Sequence, residues 1–129
     1  HHFLASREPE DMTQLEAAGI TDDFTMGYAD IAGFRLGTSY PVRWINPVNR
    51  RLSSIWLHPL TLMECSLEEK KYMGLNQDEA FTYSMNLVEQ VKNAGGELTL
   101  LWHNTSAQEN TDSYLRKLYS HLLNELARK

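Results

Sequence analysis

A single cysteine, Cys65, stands in the 129-residue sequence, so no disulfide forms within the chain and packing and hydrogen bonding must hold the fold. Such scarcity fits a reducing compartment. Positive charge is also short: 12 Lys and Arg stand against 17 Asp and Glu, a formal net charge of −5. A nucleic-acid scaffold needs a basic face to displace counterions, and that class is set aside. The densest basic group, Arg43 with Arg50 and Arg51, is short, is interrupted by Pro47 and reads as a solvated loop. No stretch reaches the roughly 18 apolar residues of a membrane-crossing helix, and the first residues show no signal-peptide pattern. There is no internal repeat, no phosphate-binding glycine loop and no GxSxG elbow. His1, His2, His58, His103 and His121 are scattered without metal-ligand spacing, so no metal site is expected in the chain.

What is present suits one small core, given a hydrophobic fraction of 42%. Glu8-Pro9-Glu10 opens a short helix with Met12, Leu15 and Ala18 on its apolar stripe, stopped at Gly19. The stretch from Thr21 to Tyr40 is too rich in Asp, Thr and Gly for a long element, although residues 33–37 allow one short strand. From Leu52 to Met63 the chain reads as extended, with Pro59 splitting it into two short strands or one strand and an irregular approach. Asn76 and Glu79 form a capping-box pattern before a helix over 78–94, which Gly95-Gly96 ends. Leu98 to Trp102 is a nearly continuous apolar run, expected to be a strand covered on both faces. Thr111 is the expected cap of a last helix over 112–127. Helix, buried strand, helix is the order of a parallel α/β layer. With few strands in hand, either the sheet is small and open or copies of the chain complete one another.

Active sites in α/β folds gather at the carboxyl ends of strands. Trp102-His103-Asn104 occupies that place after the most apolar strand, and a histidine there can exchange a proton near neutral pH or merely cap the strand end. Glu64 falls at the end of the preceding run, where a carboxylate orients a histidine or stands exposed in a loop. Arg35, beside flexible glycines, either reaches a carboxylate in a bidentate pair or forms a surface ion pair. Asp23 and Asp30 flank a turn around Tyr28, and turn chemistry accounts for both. His121 sits on a polar helix face and reads as solvated. Cys65 reads as a structural thiol.

The strings Gly27-Tyr28-Ala29-Asp30, Gly33-Phe34-Arg35 and Gly37-Thr38-Ser39 resemble polysaccharide deacetylase-like proteins of the NodB-type carbohydrate esterase superfamily. Pro59-Leu60, Met63-Glu64 and Leu101-Trp102-His103-Asn104 resemble a bacterial branch of it in order and spacing. Leu15-Glu16 with Gly19-Ile20 and Asp23 adds to the likeness, which spans most of residues 1–129. The resemblance implies an α/β fold that is part of an incomplete (β/α) barrel, with few, mostly parallel strands. It implies a hydrolase removing N-acetyl groups from a polysaccharide or oligosaccharide, with the bacterial cytoplasm slightly favoured. His103 would protonate the leaving amine, Arg35 would anchor the catalytic base, and Glu64, where the branch usually has aspartate, would orient His103. Trp102, Asn104, Tyr28 and Asp30 would contact substrate. The family's early aspartate pair and metal-binding histidine pair, which hold a divalent metal such as Zn, have no counterpart here. The chain therefore resembles the carboxyl-terminal part of such a domain, without a cofactor of its own and inactive alone. The other reading is a non-catalytic carbohydrate-binding or assembly domain, with Trp44, Trp56 and Trp102 stacking on sugars. Exposed sheet edge in either case implies a homo-oligomer.

Overall fold

The computed structural model describes residues 4–108 and 112–128. Helices and short strands alternate irregularly, and the strands fall into two small sheets. The first contains β1 (Asp22–Asp23), β2 (Val42–Asn46) and β3 (Arg51–Leu57), in the order β1-β3-β2. The β1–β3 pair is parallel, and β2 and β3 form an antiparallel hairpin. The second sheet is the parallel pair β4 (Leu62–Met63) and β5 (Leu100–Leu101), with Leu62 opposite Leu100 and Met63 opposite Leu101. The architecture is mixed α/β, and the described strands do not form a barrel.

The hairpin replaces the loop expected around the arginines. Val42-Arg43-Trp44-Ile45-Asn46 points Trp44 and Asn46 inward and Arg43 and Ile45 outward, the alternation of a half-buried strand. Asn46 builds the turn: its Oδ1 accepts from the Val48 N–H at 2.9 Å, and its carbonyl accepts from the Arg50 N–H at 2.8 Å. Helix α1 (Glu10–Ala17) covers the inner face, and Met12, Met26, Trp44, Ile55 and Leu57 form its core. Glu16 fastens helix to strand by accepting from Ser53 Oγ at 2.7 Å and from the Ser54 N–H at 2.9 Å. The outer face leaves Ile45, Leu52 and Trp56 exposed.

The second core is larger. Helix α2 (Glu64–Glu68) follows β4 directly, α3 (Gln77–Ala94) and α4 (Leu115–Ala127) pack nearby, and Leu62, Leu67, Ala80, Leu87, Val88, Leu118 and Leu122 cluster between them. The capping box forms as expected: Asn76 Oδ1 accepts from the Glu79 N–H at 3.0 Å, and Glu79 accepts from the Asn76 N–H at 2.9 Å. Gly95 ends α3 at φ +74°, a conformation that favours glycine. Helix α4 starts at Leu115, not 112, and Ser113 Oγ accepts from the Leu115 N–H. The expected cap, Thr111, lies outside the described residues.

Two other expectations change. Residues 33–37 form turns, not a strand, because Gly33 and Gly37 take φ of +145° and +69° and the Gly37 N–H closes onto the Phe34 carbonyl. The run 98–102 contributes only Leu100–Leu101 to a sheet, and both are half-buried. Leu100 packs against the second core, but in a two-stranded sheet β5 pairs on one edge only, and its two residues stay partly accessible. Removing the α3 cap with Asn76→Ala is expected to lower unfolding free energy by about 1 kcal/mol, read as a lower urea midpoint with an unchanged slope.

Candidate functional site

Because β4 and β5 run parallel and in register, the residues leaving their carboxyl ends emerge side by side. Glu64 opens α2 immediately after β4, and His103 precedes the 3₁₀ turn 104–107 after β5. The Glu64 side chain is 0% exposed, whereas that of His103 is 44% exposed. Glu64 Oε1 lies 2.7 Å from His103 Nδ1 and accepts from the His103 backbone N–H at 2.9 Å. The same oxygen accepts from Ser106 Oγ at 2.9 Å and from the Cys65 thiol at 3.4 Å. Burial alone would raise the Glu64 pKa. The donors from the His103 N–H, Ser106 and the His103 ring outweigh it and hold the group below its ordinary value. An ionised carboxylate only accepts, so Nδ1 carries a hydrogen and the ring turns Nε2 away from Glu64.

Cys65 stands at the same spot, with Sγ 3.6 Å from His103 Nδ1. Burial first, and then the Glu64 charge, push its thiol up to about 12, so it is not a ready nucleophile. Glu64, Cys65 and His103 each present one ligand-type atom within 4.8 Å of the others. The resemblance sets Glu64 beside His103, and the two are in contact; Cys65, 38 residues before His103, joins them through the β4–β5 pairing, which spacing does not express. Ser106 was missed as well. Its signal is the turn following His103, which brings the residue three positions on back to the strand end.

Arg35 does not join the pair. Its Nη1 donates to the Gly27 carbonyl at 3.2 Å, its guanidinium lies 5.5 Å from the Tyr28 ring centre, and it lines a cavity with Leu4–Arg7 and Asp11. No hydrogen bond or ion pair among the described residues links it to Glu64 or His103. The Tyr28 turn holds it instead, while the Gly27 backbone packs so closely on Leu60 that a Cβ there would stand 2.8 Å from the Leu60 side chain. Tyr28 and Asp30 are exposed. Asp23 Oδ2 and Oδ1 accept from the Thr25 N–H and hydroxyl, the turn chemistry expected of it. Trp102 packs its ring against Tyr119 at 5.2 Å and contributes to the core, and Trp44 is buried beneath α1. Asn104 is exposed and its Oδ1 accepts from the Thr105 N–H. His121 is half-buried against Phe81 rather than solvated, with ring centres 5.1 Å apart.

A second histidine, grouped by the sequence with those that lack metal-ligand spacing, also follows a strand. His58 leaves β3 with Nε2 2.8 Å from Asp22 Oδ1 and Nδ1 2.9 Å from Glu97 Oε2, and its ring stacks on Phe24 at 4.4 Å. Both ring nitrogens face carboxylates, and only the imidazolium can donate from both. Burial alone would lower the His58 pKa, but Glu97 and Asp22 outweigh it and raise the value. No family model, curated protein or solved structure matches the chain.

With a raised folded-state pKa, the His58 contribution is complete below the ordinary histidine value and lost as pH climbs through the higher folded value. Urea unfolding from about pH 6 to pH 9 should show stability falling with pH more steeply than in His58→Gln. Parallel profiles for the two proteins would contradict this.

Proposed function

We propose that residues 1–129 are the carboxyl-terminal part of a polysaccharide deacetylase-like domain, supplying the proton donor for removal of N-acetyl groups from a glycan. The observation that carries this reading is the 2.7 Å contact between the fully buried Glu64 and the half-exposed His103. Such a carboxylate fixes ring orientation by accepting from Nδ1–H and turns Nε2 to the open side, from which a protonated ring would hand a proton to a departing amine. The extra methylene of Glu64, where the resembling branch carries aspartate, is taken up by burial, and Oε1 still reaches the ring. In this reading the parallel pairs β1–β3 and β4–β5 belong to an arc of an incomplete barrel that further residues extend. The divalent ion of that reaction, which polarises the acetyl carbonyl and its water, would be held by residues outside 1–129. Arg35 has no role in this site as it stands, since its guanidinium is committed to the Gly27–Tyr28 turn.

The test compares the parent protein with this chain on an N-acetylated oligosaccharide. The parent should release acetate, and His103→Ala should lower kcat by about 10²- to 10⁴-fold with little change in KM. The chain alone should release none. Acetate release by residues 1–129, or an unaffected His103→Ala parent, would overturn the reading.

The exposed ring of Trp56, 44% accessible beside Arg43, favours the carbohydrate-binding alternative more than the packed Trp44 and Trp102 do. Ile45, Leu52 and Val48 toward the turn end of the same hairpin, also exposed, suit self-association equally well. A dimer by sedimentation that Trp56→Ser converts to monomer is expected. A monomer at every concentration excludes self-association, and quenching of Trp56 fluorescence by glycan would assign the face to sugar.

A further inference from the structure

The acid–base reading gives Cys65 nothing to do, yet its sulfur completes a triangle with the two groups that matter. The edges are 2.7 Å from Glu64 Oε1 to His103 Nδ1, 3.4 Å from Oε1 to Sγ and 3.6 Å from Sγ to Nδ1. The point equidistant from these three atoms lies about 1.9 Å from each in their plane, and a displacement of about 0.9 Å out of it gives about 2.1 Å, close to Zn–N and Zn–O bond lengths and about 0.2 Å short of Zn–S. The two sulfur edges already match the separation of donor atoms around a tetrahedral ion. Only the short Oε1–Nδ1 edge has to open, by about half an ångström.

A separate observation also calls for a cation. The Glu64 side chain is fully buried, and among the described residues Oε1 collects the donors while Oε2 has no hydrogen-bond partner. Buried charges are ordinarily paired or bound to metal, and a cation on Oε1 would add to the compensation that its hydrogen-bond donors supply. Access is open from one side: His103 is exposed and Cys65 half-buried.

We propose that Glu64, Cys65 and His103 bind one divalent cation of the Zn²⁺ class, through carboxylate oxygen, thiolate sulfur and Nδ1, with the fourth position open to water. The sulfur ligand selects against Mg²⁺ and Ca²⁺, and three protein ligands with one open position is a pattern that Zn²⁺ accepts. On binding, the ion replaces the hydrogens on Sγ and Nδ1: the thiol proton leaves to solvent, and the Nδ1 proton leaves to solvent from an imidazolium or moves to Nε2 in a neutral ring. Cation and Nδ1–H cannot occupy the corner together, so an occupied site has no Glu64–His103 hydrogen bond. The ion then acts as an off-switch for any proton donation by His103. The site itself does not depend on the deacetylase reading, and either can fail without the other.

The experiment titrates the whole chain with Co²⁺, as a spectroscopic stand-in, and with Zn²⁺ by calorimetry. One ion per chain is expected, with tetrahedral Co²⁺ bands and a thiolate-to-cobalt charge-transfer band. Cys65→Ser, nearly the same size and checked for folding by circular dichroism, should abolish the charge-transfer band and weaken Zn²⁺ binding at least about tenfold. A His1→Ala, His2→Ala double variant should bind as the original does. The proposal is overturned by absence of the charge-transfer band, by Zn²⁺ affinity that Cys65→Ser leaves unchanged, or by loss of binding in the double variant.

Discussion

Taking a carboxylate out of water is costly unless donors or cations replace the lost hydration, and Glu64 shows how that replacement organises one end of the molecule. The β4–β5 sheet has two residues per strand, too little ladder to hold parallel strands unaided. Oε1 of Glu64 ties the start of α2 to the His103 backbone, the His103 ring and Ser106. These charge-assisted bonds cross the sheet where its own hydrogen bonds run out. The 104–107 turn, the aim of the imidazole and the position of Cys65 all follow from where that oxygen sits.

A comparable device works at the opposite end of β5. His58 receives Asp22 from β1 on one nitrogen and Glu97, shortly before β5, on the other. The Glu97 N–H also donates to the Ser39 carbonyl, and Tyr40 donates its hydroxyl to the Ala94 carbonyl at the end of α3. The entry to β5 is thereby anchored to the first sheet, and its exit is anchored by Glu64. His103 is placed by both, although neither sheet is large enough to place it alone.

The parts legible in the sequence are those that local chemistry decides. Helix α3 announced itself through Asn76, Glu79, a 3.6-residue apolar period and Gly95-Gly96, all within one segment. Glu64 and His103 were legible because a strand end is a local feature and both runs stop abruptly. The β2–β3 hairpin was not, since Arg43, Arg50, Arg51 and Pro47 look like solvated loop while the inward Trp44 is recognisable only once α1 covers it. Arg35 was misplaced by the opposite error: adjacent glycines suggested reach, but a carbonyl and an aromatic ring in the same turn satisfy it first. The partners of Cys65 and His58 were not legible because they lie 38 and 36 or 39 residues away, beyond what spacing can express.

Glutamate at position 64 makes these observations one problem. Its Oε1 faces both a thiol and an imidazole, so the corner gathers three ligand-type atoms beside the exposed His103, while Oε2 has no hydrogen-bond partner among the described residues. A proton on Nδ1 neutralises part of the carboxylate charge and leaves the sulfur idle. A divalent ion neutralises more of it and employs all three side chains, but removes the hydrogen that holds the imidazole to Glu64. The two occupants therefore compete for the same few cubic ångströms, and whichever holds them decides whether His103 presents a transferable proton or a metal–nitrogen bond.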